Sequence, residues 1–208
     1  MHQKYGNKWG GSELEFLDHL KCDRIGRAGE IYIKTLLMKC GFPVSYTGDV
    51  NSKDGTYDIR IYNKKIEIKT SRSGLDGKFQ HDGLRKHGCD FYMFLDIDVD
   101  CMYLTVIPQF DLASKSEITQ TKPHLRKTTS NTYKFDFTPK QIASAETKGF
   151  SIKLSEETSI TSVKDFLIQV GIAPRSEMSE DCMQSLSTEI LHPPKISSDI
   201  FSSCSLCS

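Results

Sequence analysis

The residues of this chain best placed to do chemistry are two acids and a lysine, Asp58, Glu67 and Lys69, set in the run Tyr57-Asp58-Ile59-Arg60-Ile61-Tyr62-Asn63-Lys64-Lys65-Ile66-Glu67-Ile68-Lys69. The alternating isoleucines predict a hairpin with Asn63-Lys64 as its two-residue turn, because Asn tolerates the positive φ such turns need. On that register Tyr62 faces Lys65, Arg60 faces Glu67 and Asp58 faces Lys69. The polar side chains then project from one face, and Ile59, Ile61, Ile66 and Ile68 project from the other. Asp58 and Glu67 become diagonal neighbours with backbones roughly 7–8 Å apart, so both carboxylates can reach one cation. Two hard oxygen donors on rigid strands suit Mg²⁺, which keeps several of its waters. A metal so held polarises a phosphate and acidifies a bound water, while Lys69 orients that water or offsets charge in the transition state. The same alternation also fits a half-buried structural strand with cross-strand ion pairs, Arg60 to Glu67 and Lys69 to Asp58. Spacing alone does not choose between these readings.

The elements that must hold this hairpin are legible around it. Apolar residues recur at helical spacing over residues 13–21 and 25–40, the second run stopping at Gly41-Phe42-Pro43. From Val44 the period changes, and strands are expected over 44–46, 57–62, 65–70, 91–97 and 102–107. The run 91–97 is the most apolar and is expected at the centre of the sheet. Beyond it, 132–137 alternates like a strand, and helices are expected near 139–147 and 162–170. The pattern is that of one α/β domain, a mixed β-sheet flanked by α-helices, over residues 12–172 of the 208. Residues 1–11 read as a flexible leader. Residues 173–208, rich in Ser, Glu, Pro and Cys, read as a disordered tail.

Composition excludes several classes. Formal charge sums to zero, but Lys and Arg exceed Asp and Glu up to about Val170, a bias that suits a polyanionic partner. The seven cysteines are odd in number and scattered, which is not a disulfide framework. No apolar run approaches membrane-spanning length and no apolar leader opens the chain, so the expected setting is cytoplasmic, with reduced thiols and no membrane partner. The pair Cys204 and Cys207 has the spacing of a zinc half-site but no second pair to complete it.

With helix, hairpin and acids in place, residues 26–108 resemble the PD-(D/E)XK nuclease superfamily. The resemblance rests on Gly26-Arg27-Ala28-Gly29-Glu30 in the helix, Asp58 at a strand start, Glu67-Ile68-Lys69 on the next strand, Thr70-Ser71-Arg72 after it, and Gly77-Lys78-Phe79-Gln80 further on. Thr56-Tyr57 precede Asp58 where the family often has Pro. The resemblance implies a restriction-endonuclease-like core and a Mg²⁺-dependent DNA endonuclease, with Mn²⁺ able to substitute. It implies Asp58, Glu67 and the Ile68 carbonyl as metal ligands, Lys69 as the catalytic lysine, Glu30 at the metal directly or through water, and Gln80 as an auxiliary catalytic group. Glu30 has a structural alternative in an i,i+4 pair with Lys34. Gly26 and Gly29 are expected to let the helix lie close to the sheet, and Gln80 is read in a loop.

Basic residues crowd the same stretch. Arg72, Lys78, Arg85 and Lys86 are expected to contact the DNA backbone, which makes binding salt-dependent. His81 and His87 read as exposed loop histidines, and Phe91, Tyr92 and Phe94 as core. The long polar stretch 114–131 is the candidate for reading or enclosing DNA. A site-specific enzyme of restriction type, acting as a homodimer by analogy, is the leading expectation. A Holliday-junction resolvase or repair nuclease of the same fold, a non-cleaving nucleic-acid-binding module and a plain α/β domain are the rivals.

Overall fold

The computed structural model describes residues 8–47, 57–85, 88–109, 126–130 and 132–174. The fold is mixed α/β. A six-stranded sheet runs in the order β1-β2-β3-β5-β6-β9, and a three-stranded sheet in the order β4-β8-β7. A short 3-10 turn, Glu15–His19, stands where the first helix was expected. Helix α1, Cys22–Lys39, buries Ile25, Ala28, Gly29, Tyr32, Ile33, Leu36 and Leu37, the stripe that a 3.6-residue period dictates. Gly41, at φ +80, ends it. Its left-handed backbone lets the N–H of Phe42 return to the carbonyl of Leu37 at 3.1 Å.

Strands β1 (Val44–Tyr46), β2 (Ile59–Ile61) and β3 (Lys64–Arg72) form an antiparallel meander. Strand β5 (Phe91–Ile97) lies parallel to β3, and β6 (Met102–Pro108) antiparallel to β5. All seven residues of β5 are buried, as expected for an interior strand. The connection from β3 to β5 contains β4, Phe79–Leu84, which leaves the main sheet and pairs with β8 (Tyr133–Phe137). Strand β7, Arg126–Lys127, adds to the outer side of β8. Helix α2, Pro139–Thr147, starts on a Thr138–Gln141 capping box. Strand β9, Ser151–Leu154, pairs with β6, and helix α3, Ile160–Gln169, opens on a Ser159 cap.

The main sheet is covered on both faces. One face carries an aliphatic core shared with α1 and α3, including Ile59, Ile61, Ile66 and Ile68. The other carries an aromatic core of Phe79, Tyr92, Phe94, Phe135 and Phe137, closed by α2 residues Ile142 and Ala145. Rings pack edge to face there, Phe135 and Phe137 at 4.5 Å between centroids.

Several expectations are corrected. The leader ends sooner than residue 11: Trp9 is fully buried, and Lys8 donates to Ser73 at 2.7 Å and pairs with Asp98 at 3.0 Å. Phe79–Leu84 is a strand, so Gln80 and His81 do not lie in a loop. Strand β9 was not anticipated. Residues 126–127 of the long polar stretch form β7, while 110–125 and the expected tail beyond 174 lie outside the described residues. Among the described residues no helix is long and apolar enough to cross a membrane.

Candidate functional site

The hairpin turns one residue earlier than expected. Ile61 pairs with Lys64, Arg60 with Lys65 and Ile59 with Ile66, so Tyr62 and Asn63 make the turn, and Tyr62 rather than Asn63 takes the positive φ, 51°. The register has slipped by two residues. A slip of two preserves which side chains share a face, and the isoleucines remain in the core. The cross-strand partners change, however. Arg60 now lies across from Lys65 and stacks on the Tyr57 ring. Neither ion pair of the structural alternative forms: Lys69 pairs along its own strand with Glu67, Nζ to Oε1 at 2.7 Å.

Regular pairing of β2 stops at Ile59. The N–H of Asp58 bonds to the Ile66 carbonyl at 2.9 Å, one residue out of register. Its carboxylate turns along the edge of β3 and accepts the N–H of Ile68 at 2.7 Å. A strand residue directs its N–H and its carbonyl to the same edge, so the Ile68 carbonyl looks toward the side where Asp58 sits.

Glu30 arrives from α1 because that helix lies against β3. A Cβ on Gly29 would come within 1.8 Å of the Thr70 hydroxyl, an approach that only glycine permits. Gly26 has open space around it, so the close packing expected of both glycines belongs to Gly29. Tyr46 on β1 donates its hydroxyl to Glu30 Oε2 at 2.6 Å, and Arg27 pairs with the same oxygen at 3.3 Å. Arg27 also donates to the Tyr46 hydroxyl. Tyr46 and Arg27 were not expected here. Arg27 had a local signal in its i,i+3 spacing to Glu30, whereas Tyr46 comes from a strand beyond the helix and had none.

The acids act on one another. Burial raises the Glu30 carboxyl to about 7, with Asp58 the next contributor and Glu67 adding to it, while Arg27 and Lys69 pull it down. Burial raises Asp58 too, against the Ile68 N–H, Lys69, Arg27 and Arg85. Glu67 is raised by burial and by Asp58, against Lys69 and Arg85. Like charges crowded into a half-buried site favour a cation among them.

Beside this cluster opens a cleft of about 440 Å³ lined in part by Glu30, Ile68, Lys69, Gln80 and His81. The structure therefore brings Glu30, Asp58, Glu67, Ile68 and Lys69 together at the middle of β3, just past the point where its pairing with β2 stops, with Gln80 lining the same cleft. Gln80 is exposed, its N–H bonded to the Ser71 hydroxyl at 3.0 Å and its side chain to Asp136 at 3.3 Å. No family model and no curated protein matches the chain. The site must be read from its own geometry.

The expected DNA contacts separate. Lys78 is exposed and paired with Asp76 at 2.5 Å, and Arg85 is exposed. Arg72 is only 8 % exposed, so it is no open surface contact, though it helps to line the cleft. Lys86 and His87 lie outside the described residues. His81 is buried rather than exposed: its Nε2 lies 2.8 Å from Asp96 Oδ1, with its ring edge-on to Phe94. A histidine enters an aromatic core when a carboxylate meets it there, and Asp96 comes from β5, remote in sequence. Among the described residues no three His, Cys, Asp or Glu side chains form a ready metal cage. The donor set nonetheless fits a hard cation: two edge carboxylates, a third from α1, and a strand carbonyl beside them.

Proposed function

We propose that this chain is a Mg²⁺-dependent DNA endonuclease with a restriction-endonuclease-like core, cutting phosphodiester bonds beside the middle of β3. The observation that carries the reading is the convergence of Glu30, from a helix, with Asp58, Glu67 and Lys69 from the hairpin, beside a cleft that Glu30, Ile68 and Lys69 line. A plain structural strand needs no third acid from another element, and a module that only binds nucleic acid gains nothing from carboxylates that repel phosphate. The strand order around the site, an antiparallel β1-β2-β3 meander followed by parallel β5, supports the same reading.

Asp58, Glu67 and the Ile68 carbonyl would hold Mg²⁺ or Mn²⁺, with Glu30 joining directly or through water. The bound ion supplies charge for the scissile phosphate and an acidified water. Lys69 offsets negative charge as it builds on the phosphate oxygens and steadies the attacking water by hydrogen bonding. Arg27 and Tyr46 hold Glu30 Oε2 in place. Gln80 offers an amide to the water or the DNA backbone from the same cleft, and Lys78 adds a cation at the rim. Severing both strands of a duplex calls for two such centres, which a homodimer supplies.

The test is digestion of linear duplex, supercoiled and four-way-junction DNA by the purified chain with Mg²⁺ or Mn²⁺, beside Asp58→Asn and Lys69→Ala. Metal-dependent cutting by the parent, slowed at least about 100-fold in Asp58→Asn, is the expected result, with defined ends on linear duplex. Cutting confined to the junction selects a resolvase of the same fold. Intact DNA on every substrate removes the enzyme reading.

A further inference from the structure

Arg85 lies at the end of β4, and the backbone there is built in a way that a solvated surface arginine does not require. Strand β4 pairs regularly with β8 as far as His81, then shifts register before Leu84. The irregularity falls at Gly83, whose φ of +69 bends the strand and where an added Cβ would lie 3.8 Å from Lys69 Nζ. Bulges of this kind re-aim the residues that follow them. Leu84, 1 % exposed, anchors the bend in the aromatic core.

The next residue, Arg85, is then fastened through its main chain. The Tyr92 hydroxyl accepts the Arg85 N–H and donates to the Arg85 carbonyl, each at 2.7 Å. Gln109 adds a weaker bond to that carbonyl at 3.4 Å. Tyr92 is 1 % exposed and sits directly beside Glu67 in the β3–β5 pairing. A buried tyrosine adjacent to one of the metal-site acids thus fixes the backbone of an exposed arginine. Gly83 sets β4 close to Lys69 and Tyr92 stands beside Glu67, so the tethered backbone of Arg85 lies on the side of β3 that carries these groups, and the Arg85 charge lowers Asp58 and Glu67 alike.

We propose that Arg85 is a catalytic residue that grips the scissile phosphate beside Lys69, and that Tyr92 is the positioning residue that aims it. The proposal rests on the nuclease reading above and sharpens it. A guanidinium matches two phosphate oxygens at once, whereas the Lys69 ammonium is a point charge. Together they neutralise a phosphate that approaches three carboxylates, the more so as charge accumulates on it during in-line attack. A residue that only contacts the DNA backbone needs neither the bend nor the tether.

Two quantities separate these roles: the single-turnover rate at saturating duplex with Mg²⁺, and the Kd for the same duplex without divalent metal. Arg85→Ala is expected to slow the saturated rate by about 100-fold while changing Kd by less than about fivefold. Arg85→Lys keeps the charge and the exposed stem, and should recover only part of the rate. Tyr92→Phe should slow the rate by about tenfold in the parent, and by nothing further in Arg85→Ala, since residues acting as a unit are not additive. An Arg85→Ala protein that binds more weakly but cuts at the parental rate when saturated overturns the proposal and leaves the nuclease reading standing. Full additivity of Tyr92→Phe with Arg85→Ala reduces Tyr92 to a packing residue and overturns that half. A parent that cuts nothing removes both readings together.

Discussion

Two groups of enclosed acid lie along the β3–β5 pair, and they are built on different rules. Asp96 is fully buried and answered by a single histidine, His81, at 2.8 Å. Burial raises its carboxyl, and His81 alone offsets this. Glu30, Asp58 and Glu67 are less deeply enclosed, and each of the two glutamates is pushed up by a neighbouring carboxylate as well as by burial. The first is a closed pair that ties β4 to β5. The second leaves like charges facing one another, which a fold does not maintain for its own stability. On the proposed reading, the contrast separates an acid that holds the molecule together from acids held for use.

Removing one partner of the closed pair should be the costliest change. Asp96→Ala strands His81 in an aromatic core and is expected to lower unfolding free energy by about 3–5 kcal/mol, read by urea denaturation. A loss under about 1 kcal/mol, the range of an exposed pair, would dissolve the distinction. Asp58→Asn should do the reverse. It keeps a group able to accept the Ile68 N–H and removes a like charge, so stability is held or raised at neutral pH. Metal-dependent cleavage should fall by about 100- to 1000-fold, roughly 3–4 kcal/mol in the transition state. Paired denaturation and rate measurements on the same preparation check both halves.

Gly29→Ala tests how tightly α1 is set. The added methyl meets the Thr70 side chain, and the expected cost is about 1–3 kcal/mol, with cleavage lowered further because Glu30 moves with the helix. Gly26→Ala, in open space on the same helix, should be neutral or slightly stabilising by thermal melting. The smallest effect is a pH slope. Glu30 is raised from the ordinary 4.5 to about 7, so the folded chain holds a proton that the unfolded chain has released. Its contribution to metal-free stability is therefore lost as pH rises from about 4.5 to 7. Glu30→Gln should flatten that part of the melting-temperature profile; parallel profiles for the two proteins would remove Glu30 from the charge cluster.

How much of this the sequence disclosed follows from where the information resides. Helix α1, strands β5 and β6 and helix α2 are written in local periodicity and end on Gly, Pro or a capping box, so they are legible at a glance. Asp58, Glu67 and Lys69 are legible because a two-residue period fixes the face of a strand whatever its register. The register itself was not, since it depends on Tyr62 accepting a left-handed backbone that Asn63 was expected to take. Strand β4 was hidden by Gly83 and by polar residues at positions 80 and 82, and only β8, remote in sequence, makes it a strand. The burial of Arg72 and His81 was hidden for a related reason: whether a charged residue can be enclosed depends on neighbours contributed by other elements, such as Asp96 from β5 for His81.

The connection between the parallel strands β3 and β5 carries this further. The cleft wall that bears Gln80 is itself the covalent bridge between those two strands, stitched to β3 at Ser71 and to β5 through His81 and Tyr92. For such a wall to swing aside, its hydrogen bonds to both strands would have to break. On the proposed reading the cleft works as a gauge rather than a jaw: a nucleic acid would have to possess, or be bent into, the width that the sheet allows, and selection by shape would come before any bond is broken.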